Sequence, residues 1–235
     1  MGESIPLLLF PYEKPRTRVY VLGQSDDVAA LGNLDNLDPA IDCQVWPLDH
    51  APPDDAWHVV VLWTPSLAPL LALPKYTPIL LCRELEGAPR RIQGVPTVRL
   101  TYLGSCREAL LQLLICTVLS TSYEGPIGVD EADVRVMLKP GGVARLFAYQ
   151  APTLARASEG LHRKTRRTLA AIGPTAAFWL TICAPARPGS MRGFDKAVAM
   201  VLEPADFGEF SLVAFLASPQ QQVKMWLLAV DRENL

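Results

Sequence analysis

The chain has 235 residues, half of them hydrophobic, with a net charge of −2 and three histidines. That length supports one large domain or two small ones sharing a core. A slightly acidic balance, with pI near 5.9, gives no basic footprint for nucleic acid and no acidic tail.

Five cysteines (Cys43, Cys82, Cys106, Cys116, Cys183) are odd in number, widely spaced and mostly set in apolar runs such as Leu80-Leu81-Cys82 and Leu114-Ile115-Cys116. They read as reduced core residues of a cytoplasmic protein, not as disulfides or metal ligands. The opening Ile5-Pro6-Leu7-Leu8-Leu9-Phe10 follows no basic segment and is too short for a signal peptide or a membrane span. It is expected to be a strand or an extended arm packed on the body or on a partner.

Short β-branched runs mark the first half in order: Thr17–Gly23, His58–Trp63, Pro78–Cys82 and Thr97–Thr101. Continuous apolar strands of this kind are buried on both faces, which predicts a parallel sheet covered by helices. The connections hold Pro47, Pro52, Pro53, Pro65, Pro69, Pro74, Pro78, Pro89 and Pro96. Proline cannot continue a helix interior, so few full-length covering helices are expected there.

From Ser105 to Thr121 the apolar spacing becomes helical, with Ser105 as N-cap and Glu108 completing a capping box. Leu111, Ile115 and Leu119 extend the apolar surface almost all round, which places this helix between two layers. A loop from Gly125 to Asp130 comes next, then a short helix over Val134–Leu138 and a strand over Gly142–Tyr149. A basic helix over Ser158–Ile172, a strand over Ala176–Cys183, a helix over Met191–Leu202 and strands at Phe210–Leu216 and Val223–Val230 complete a second α/β unit.

Chemistry-bearing patterns are few. His50, His58 and His162 have no metal-ligand or nucleophile spacing, no Gly-Lys-Ser/Thr phosphate loop occurs, and no cysteine pair has CxxC spacing. No metal and no cofactor are expected. The run His162-Arg163-Lys164-Thr165-Arg166-Arg167 reads as a solvated basic surface, with an acidic partner or an anionic membrane as the functional alternatives. The remaining signal is Gly125-Pro126-Ile127-Gly128-Val129-Asp130-Glu131-Ala132-Asp133-Val134-Arg135. By spacing, Asp130 caps the next helix and Asp133 lies one turn along it; the same pair also fits an acidic site.

This loop, set after a buried central helix and before a Gly141-Gly142 strand, helix, strand, helix and two strands, resembles FtsZ and its tubulin-like relatives. The family loop reads Gly-Leu-Ile-Asn-Val-Asp-Phe-Ala-Asp-Val, and Gly125, Ile127, Val129, Asp130, Ala132, Asp133 and Val134 match it. The resemblance covers about the last 130 residues. It implies an α/β, degenerate tubulin/FtsZ-like fold: a reduced Rossmann-like half (1–104), a central helix (105–124) and an α/β C-terminal domain (125–235).

It further implies that Asp130 and Asp133 stand where FtsZ polarises the water attacking a neighbour's GTP, as in-trans residues, with Gly128, Asp130, Glu131, Asp133 and Arg135 at the interface. Gly128 replaces the family Asn and removes a polar contact to that nucleotide. The family's Gly-Gly-Gly-Thr-Gly phosphate loop corresponds to Thr64-Pro65-Ser66-Leu67-Ala68-Pro69, and only Gly23 remains in the first loop, followed by Gln24-Ser25-Asp26-Asp27. A cradle of free N–H donors needs glycines, and two aspartates repel a phosphate. The expected function is a non-GTP-binding protein with no catalytic residue of its own, which docks on an FtsZ/tubulin-like GTPase and caps or modulates its filaments. Stimulation of that partner's GTPase in trans would be its one catalytic contribution. The implied partner makes a hetero-oligomer. The alternatives are nucleotide-independent self-assembly with a second copy, and a small α/β nucleotide-binding enzyme using Asp26, Asp27 and Asp130.

Overall fold

The computed structural model describes residues 16–35, 37–48, 50–63, 77–83, 91–92, 95–102, 104–123, 129–172, 176–185, 192–203, 210–218 and 220–232. The apolar runs of the first half form β1 (Thr17–Leu22), β3 (His58–Trp63), β4 (Ile79–Arg83) and β7 (Val98–Tyr102). A further strand, β2 (Ile41–Trp46), lies on the outer side of β1. A two-stranded hairpin, β5 (Arg91–Ile92) and β6 (Val95–Pro96), precedes β7.

Every pairing among β2, β1, β3, β4 and β7 is parallel. Val59 to Leu62 are all buried, as a strand covered on both faces requires.

The sheet does not stop at β7. β8 (Gly142–Ala151) pairs in parallel with β7 through Val98↔Gly142 and Leu100↔Ala144. β11 (Val223–Asp231) then pairs antiparallel with β8 and with β9 (Ala177–Pro185), and β10 (Phe210–Ser218) forms the far edge. Nine strands therefore form one sheet in the order β10-β9-β11-β8-β7-β4-β3-β1-β2.

One face of this sheet carries the central helix, which runs as α2 (Cys106–Leu114), a π-helical segment (Ile115–Leu119) and α3 (Ser120–Ser122). Ser105 caps it by accepting the amide of Glu108 at 3.2 Å. Leu110, Leu113, Leu114, Val118 and Leu119 are buried on different sides of it, each contributing about 2 kcal/mol of apolar transfer energy.

The π turn has a local cause. The Cys116 carbonyl accepts the hydroxyls of Ser120 (2.6 Å) and of Thr181 on β9 (3.3 Å), while the Thr117 hydroxyl donates to the Leu113 carbonyl (2.9 Å). Hydroxyls inserted into the helical ladder take over groups that a widened turn leaves unpaired.

On the other face, α5 (Leu154–Leu169) and α6 (Phe194–Leu202) cover the second half, burying Leu161, Phe178, Phe194, Phe215 and Met225. Behind the first half, Tyr20, Val59, Val61 and Leu80 pack with Trp46 and Trp63, with the Tyr20 and Trp46 rings edge to face at 5.3 Å. The buried cysteines behave as core thiols: burial pushes Cys43 and Cys116 up to about 12 and Cys82 and Cys183 to about 11. Among the described residues no group of His, Cys, Asp or Glu is placed to hold a metal, and no helix is long and apolar enough to cross a membrane.

Gly142 sits at the seam of the two halves with φ +136°, and a Cβ there would lie 2.3 Å from the Asp231 carbonyl oxygen. Gly142→Ala is expected to cost of the order of 3 kcal/mol, lowering Tm by several degrees. Gly193→Ala, at φ +80° with nothing within 4 Å, should cost about 1–2 kcal/mol. Equal losses in thermal melts would show that backbone conformation, not the seam contact, sets the cost.

His58 opens β3 fully buried, and burial holds its imidazole down to about 4 against an ordinary 6.5. Between those values the unfolded chain binds a proton that the folded chain excludes. Stability should therefore fall as pH drops from 6.5 toward 4, by up to about 3 kcal/mol, and His58→Gln should flatten that dependence in urea titrations.

Candidate functional site: an acidic helix start opposite the sheet's switch point

The central helix enters from the carboxyl end of β7 and returns to the amino-terminal edge of the parallel strands. Two contacts fix its end there. Thr17, opening β1, and Ser122 share a hydroxyl hydrogen bond of 3.0 Å, and Tyr123 Oη donates to Asp38 Oδ1 at 2.7 Å. Asp38 is buried; it also accepts the Ala40 amide at 2.9 Å, while its Oδ2 is buried with no partner among the described residues. Desolvation raises its carboxyl above the ordinary value against the pull of both hydrogen bonds.

Gly125–Gly128, including the interface candidate Gly128, lies outside the described residues. The chain continues at Val129, which is buried, and Asp130, which is exposed. Helix α4 (Glu131–Leu138) then buries Val134, Met137 and Leu138 on the face that carries the central helix. Its start is a reciprocal capping box: Asp130 Oδ1 accepts the Asp133 amide at 2.9 Å, and Asp133 Oδ2 accepts the Asp130 amide at 3.1 Å. At its other end the Met137 carbonyl accepts Arg232 Nη2 at 3.4 Å, a cation at a helix C-terminus.

The structure thus brings Asp130 and Asp133 together and gives both the local task that their spacing predicts. Each has one further carboxylate oxygen with no hydrogen bond among the described residues; Asp130 is exposed and Asp133 half-buried. Glu131 is engaged elsewhere: it pairs with Arg135 one turn on, with Nε to Oε1 at 2.9 Å. Of the interface candidates, these two neutralise each other on the exposed side of α4, an i,i+4 pair worth a few tenths of a kcal/mol.

The opposite edge has different chemistry. The chain passes from β1 to β2 on one side and then to β3 on the other, so the order reverses at the carboxyl ends of β1 and β3, where open α/β sheets bind ligands. After β1 comes Gly23, whose Cα faces Leu62 and Val28; a Cβ there would lie 3.0 Å from Leu62 Cδ1. The next helix, α1 (Ser25–Ala29), has five residues, buries none of them and carries Asp26 and Asp27 in its first turn. Two carboxylates at a helix N-terminus occupy the position that an anion would need. The corresponding segment after β3, Thr64–Pro69, lies outside the described residues.

A Rossmann-like parallel half, a buried helix crossing to the amino-terminal edge, an acidic helix start there and a second α/β unit make this an FtsZ/tubulin-like fold. Among solved structures, the chain is similar to an empty FtsZ dimer of M. jannaschii at 12% identity, covering 94% of this chain and 90% of that one with a TM-score of 0.59. A tryptophan-to-tyrosine mutant of FtsZ from the same organism gives 13% identity, 92% and 91% coverage and a TM-score of 0.58. CetZ2 from Haloferax volcanii, in a GTPγS-bound protofilament, gives 16%, 90%, 64% and 0.43. No protein-family model matches the chain, and none of the curated proteins does.

Asp130→Ala removes the cap and should cost about 1 kcal/mol, whereas Asp130→Asn, an equally good cap without the charge, should cost only a few tenths. Urea denaturation of the two variants reads the difference. Equal losses would mean that the charge at the helix start, and not its hydrogen bond, holds α4.

Proposed function

We infer that this chain is a non-GTP-binding subunit that docks by its acidic α4 start on the nucleotide-bearing face of an FtsZ/tubulin-like GTPase and so caps or modulates that partner's filaments. The observation that carries this reading is the contrast between the two edges of the sheet. At the amino-terminal edge, Asp130 and Asp133 are built into a reciprocal capping box that leaves one oxygen of each without a hydrogen bond among the described residues. At the carboxyl edge, the first helix offers Asp26 and Asp27 to any phosphate.

A head-to-tail assembly needs both faces on every interior subunit, because a heterologous contact pairs one face with the other. A subunit with a working acidic face and no working nucleotide face can follow a partner but cannot be followed by one. Asp130 and Asp133 make the contact in this reading, with Gly128, Glu131 and Arg135 around them, and residual orientation of water would appear as stimulation of the partner's GTP turnover.

One comparison favours a second reading, self-assembly without nucleotide, since the similar M. jannaschii FtsZ is described as both a dimer and empty. Sedimentation velocity of the chain alone separates the two readings: a monomer supports the capping role, and nucleotide-independent oligomers support self-assembly.

The direct test mixes the protein with an FtsZ-type GTPase. Substoichiometric protein should change sedimentable polymer and GTP turnover and appear in the pellet, and Asp130→Asn/Asp133→Asn should lose at least tenfold in potency. No co-pelleting and no change in either quantity would end the proposal. A rise in Tm of the chain alone with GTP and Mg²⁺, as binding to the folded state requires, would overturn the claim that it does not bind GTP.

A further inference from the structure

Helix α5 carries five cationic side chains and one carboxylate, although the chain as a whole is slightly acidic. Its apolar side is used up by the core, where Leu154, Ala157, Leu161 and Leu169 are buried. Two polar residues at the margins are also engaged: His162 Nδ1 lies 2.8 Å from the Met200 carbonyl of α6, and Lys164 Nζ donates to the Ala148 carbonyl of β8 at 3.1 Å.

Arg156, Arg163, Arg166 and Arg167 remain, all exposed. At 100° per residue Arg156, Arg163 and Arg167 fall within about 40° of one another, a stripe roughly 16 Å long down the outer surface, with Arg166 and Glu159 beside it. Among the described residues none of these arginine side chains makes an ion pair or hydrogen bond, with Asp195 of the neighbouring α6, with Glu203 just after it or with any other group.

Helix stability explains only part of this pattern. Arg166 and Arg167 in the last turn complement the helix dipole, but Arg156 lies in the first turn, where a cation opposes it. The character of the surface then narrows the partner. Protein interfaces rely on aromatic or aliphatic anchors at their centre, and single-stranded nucleic acid needs rings to stack on. Ala155 is the one exposed apolar position of α5, and a single part-exposed aromatic, Tyr149 of β8, packs its ring on Gly160 beside it. A duplex reader needs a helix that protrudes into a groove, and α5 lies flat on the sheet beside α6.

A flat array of guanidinium groups suits a plane of phosphates, each fork matching a phosphate oxygen pair. We propose that the arginine face of α5 is an adsorption surface for anionic phospholipid bilayers. With its apolar side buried in the core, the helix adsorbs without inserting, so attachment is electrostatic and reversible. The acidic balance of the remaining chain orients this face toward an anionic plane.

Flotation with vesicles rich in phosphatidylglycerol, against pure phosphatidylcholine, tests the surface using the full chain. Binding is expected only to the anionic vesicles, falling steeply as ionic strength rises to about 0.15 M. Each arginine changed to glutamine should lower the partition coefficient about fivefold, and Arg156→Gln/Arg163→Gln/Arg167→Gln about a hundredfold. Far-UV circular dichroism and Tm should be unchanged, and the single variants and salt series decide the matter should the triple variant be destabilised. Equal binding to both lipids, or undiminished binding by folded arginine variants, overturns the proposal. So does a preference for duplex DNA or polyglutamate over the anionic vesicles, which would reassign the face.

Discussion

The second half of the central helix, Leu113 to Ser120, is buried at every position, and the rest of the structure depends on how that is managed. A fully buried stretch leaves no water to satisfy an irregular backbone, yet this one contains a π turn at Ile115–Leu119. Thr181 of β9 and Ser120 both donate to the Cys116 carbonyl, and Cys116 Sγ lies 3.8 Å from the Trp179 carbonyl. A helix that succeeds the last strand of the first half is thereby joined by side-chain hydrogen bonds to the sheet of the second. β7 and β8 complete the union through the backbone. The two halves share one sheet and one helix, so displacement of either would expose both.

That constraint also fixes where the acidic residues go. A helix antiparallel to β7 must end at the amino-terminal edge, and the Thr17–Ser122 and Asp38–Tyr123 contacts hold it there. Helix α4, next in the chain, can only start at that edge, facing away from the switch point between β1 and β3. The opposition of the two sites is a consequence of topology and needs no special residue. Specific chemistry enters only in the residues at each edge: a carboxylate box at one, and a short acidic helix at the other.

Much of this was legible because the informative residues act locally. Ser105 and the pair Asp130 with Asp133 are recognisable as caps because a helix start places both partners within four residues, although the Glu108 half of the first box does not form, its carboxylate accepting Gln112 Nε2 at 3.2 Å instead. The fully buried strands β3 and β9 were legible as apolar runs. β2 was not, because its alternation of Ile41, Asp42, Cys43 and Gln44 is that of an outer strand with one partner, a weaker signal than a continuous run. Helix α5 begins at Leu154, earlier than its basic run suggests, since Thr153 caps it by accepting the Arg156 amide. The π turn left no mark, because Ser120 and Thr181 act on one carbonyl from 65 residues apart in the longer case. The contact between Tyr123 and Asp38, 85 residues apart, was likewise beyond any local pattern.

The capping box also bears on the kind of work that Asp130 and Asp133 can do. A carboxylate that polarises water must hold its orientation through the reaction, and side chains on a loop hold it poorly. Here each aspartate accepts the other's backbone amide, so in the proposed role the remaining oxygens would be preorganised by the same bonds that start the helix. In the proposed docking role, the structural and functional tasks of these residues would therefore not compete. Where a loop must present carboxylates to a neighbour, placing them at a helix start supplies rigidity from the backbone. A residue that merely caps would serve as well with asparagine, so it is the proposed docking role, and not folding, that would need the charge of each side chain.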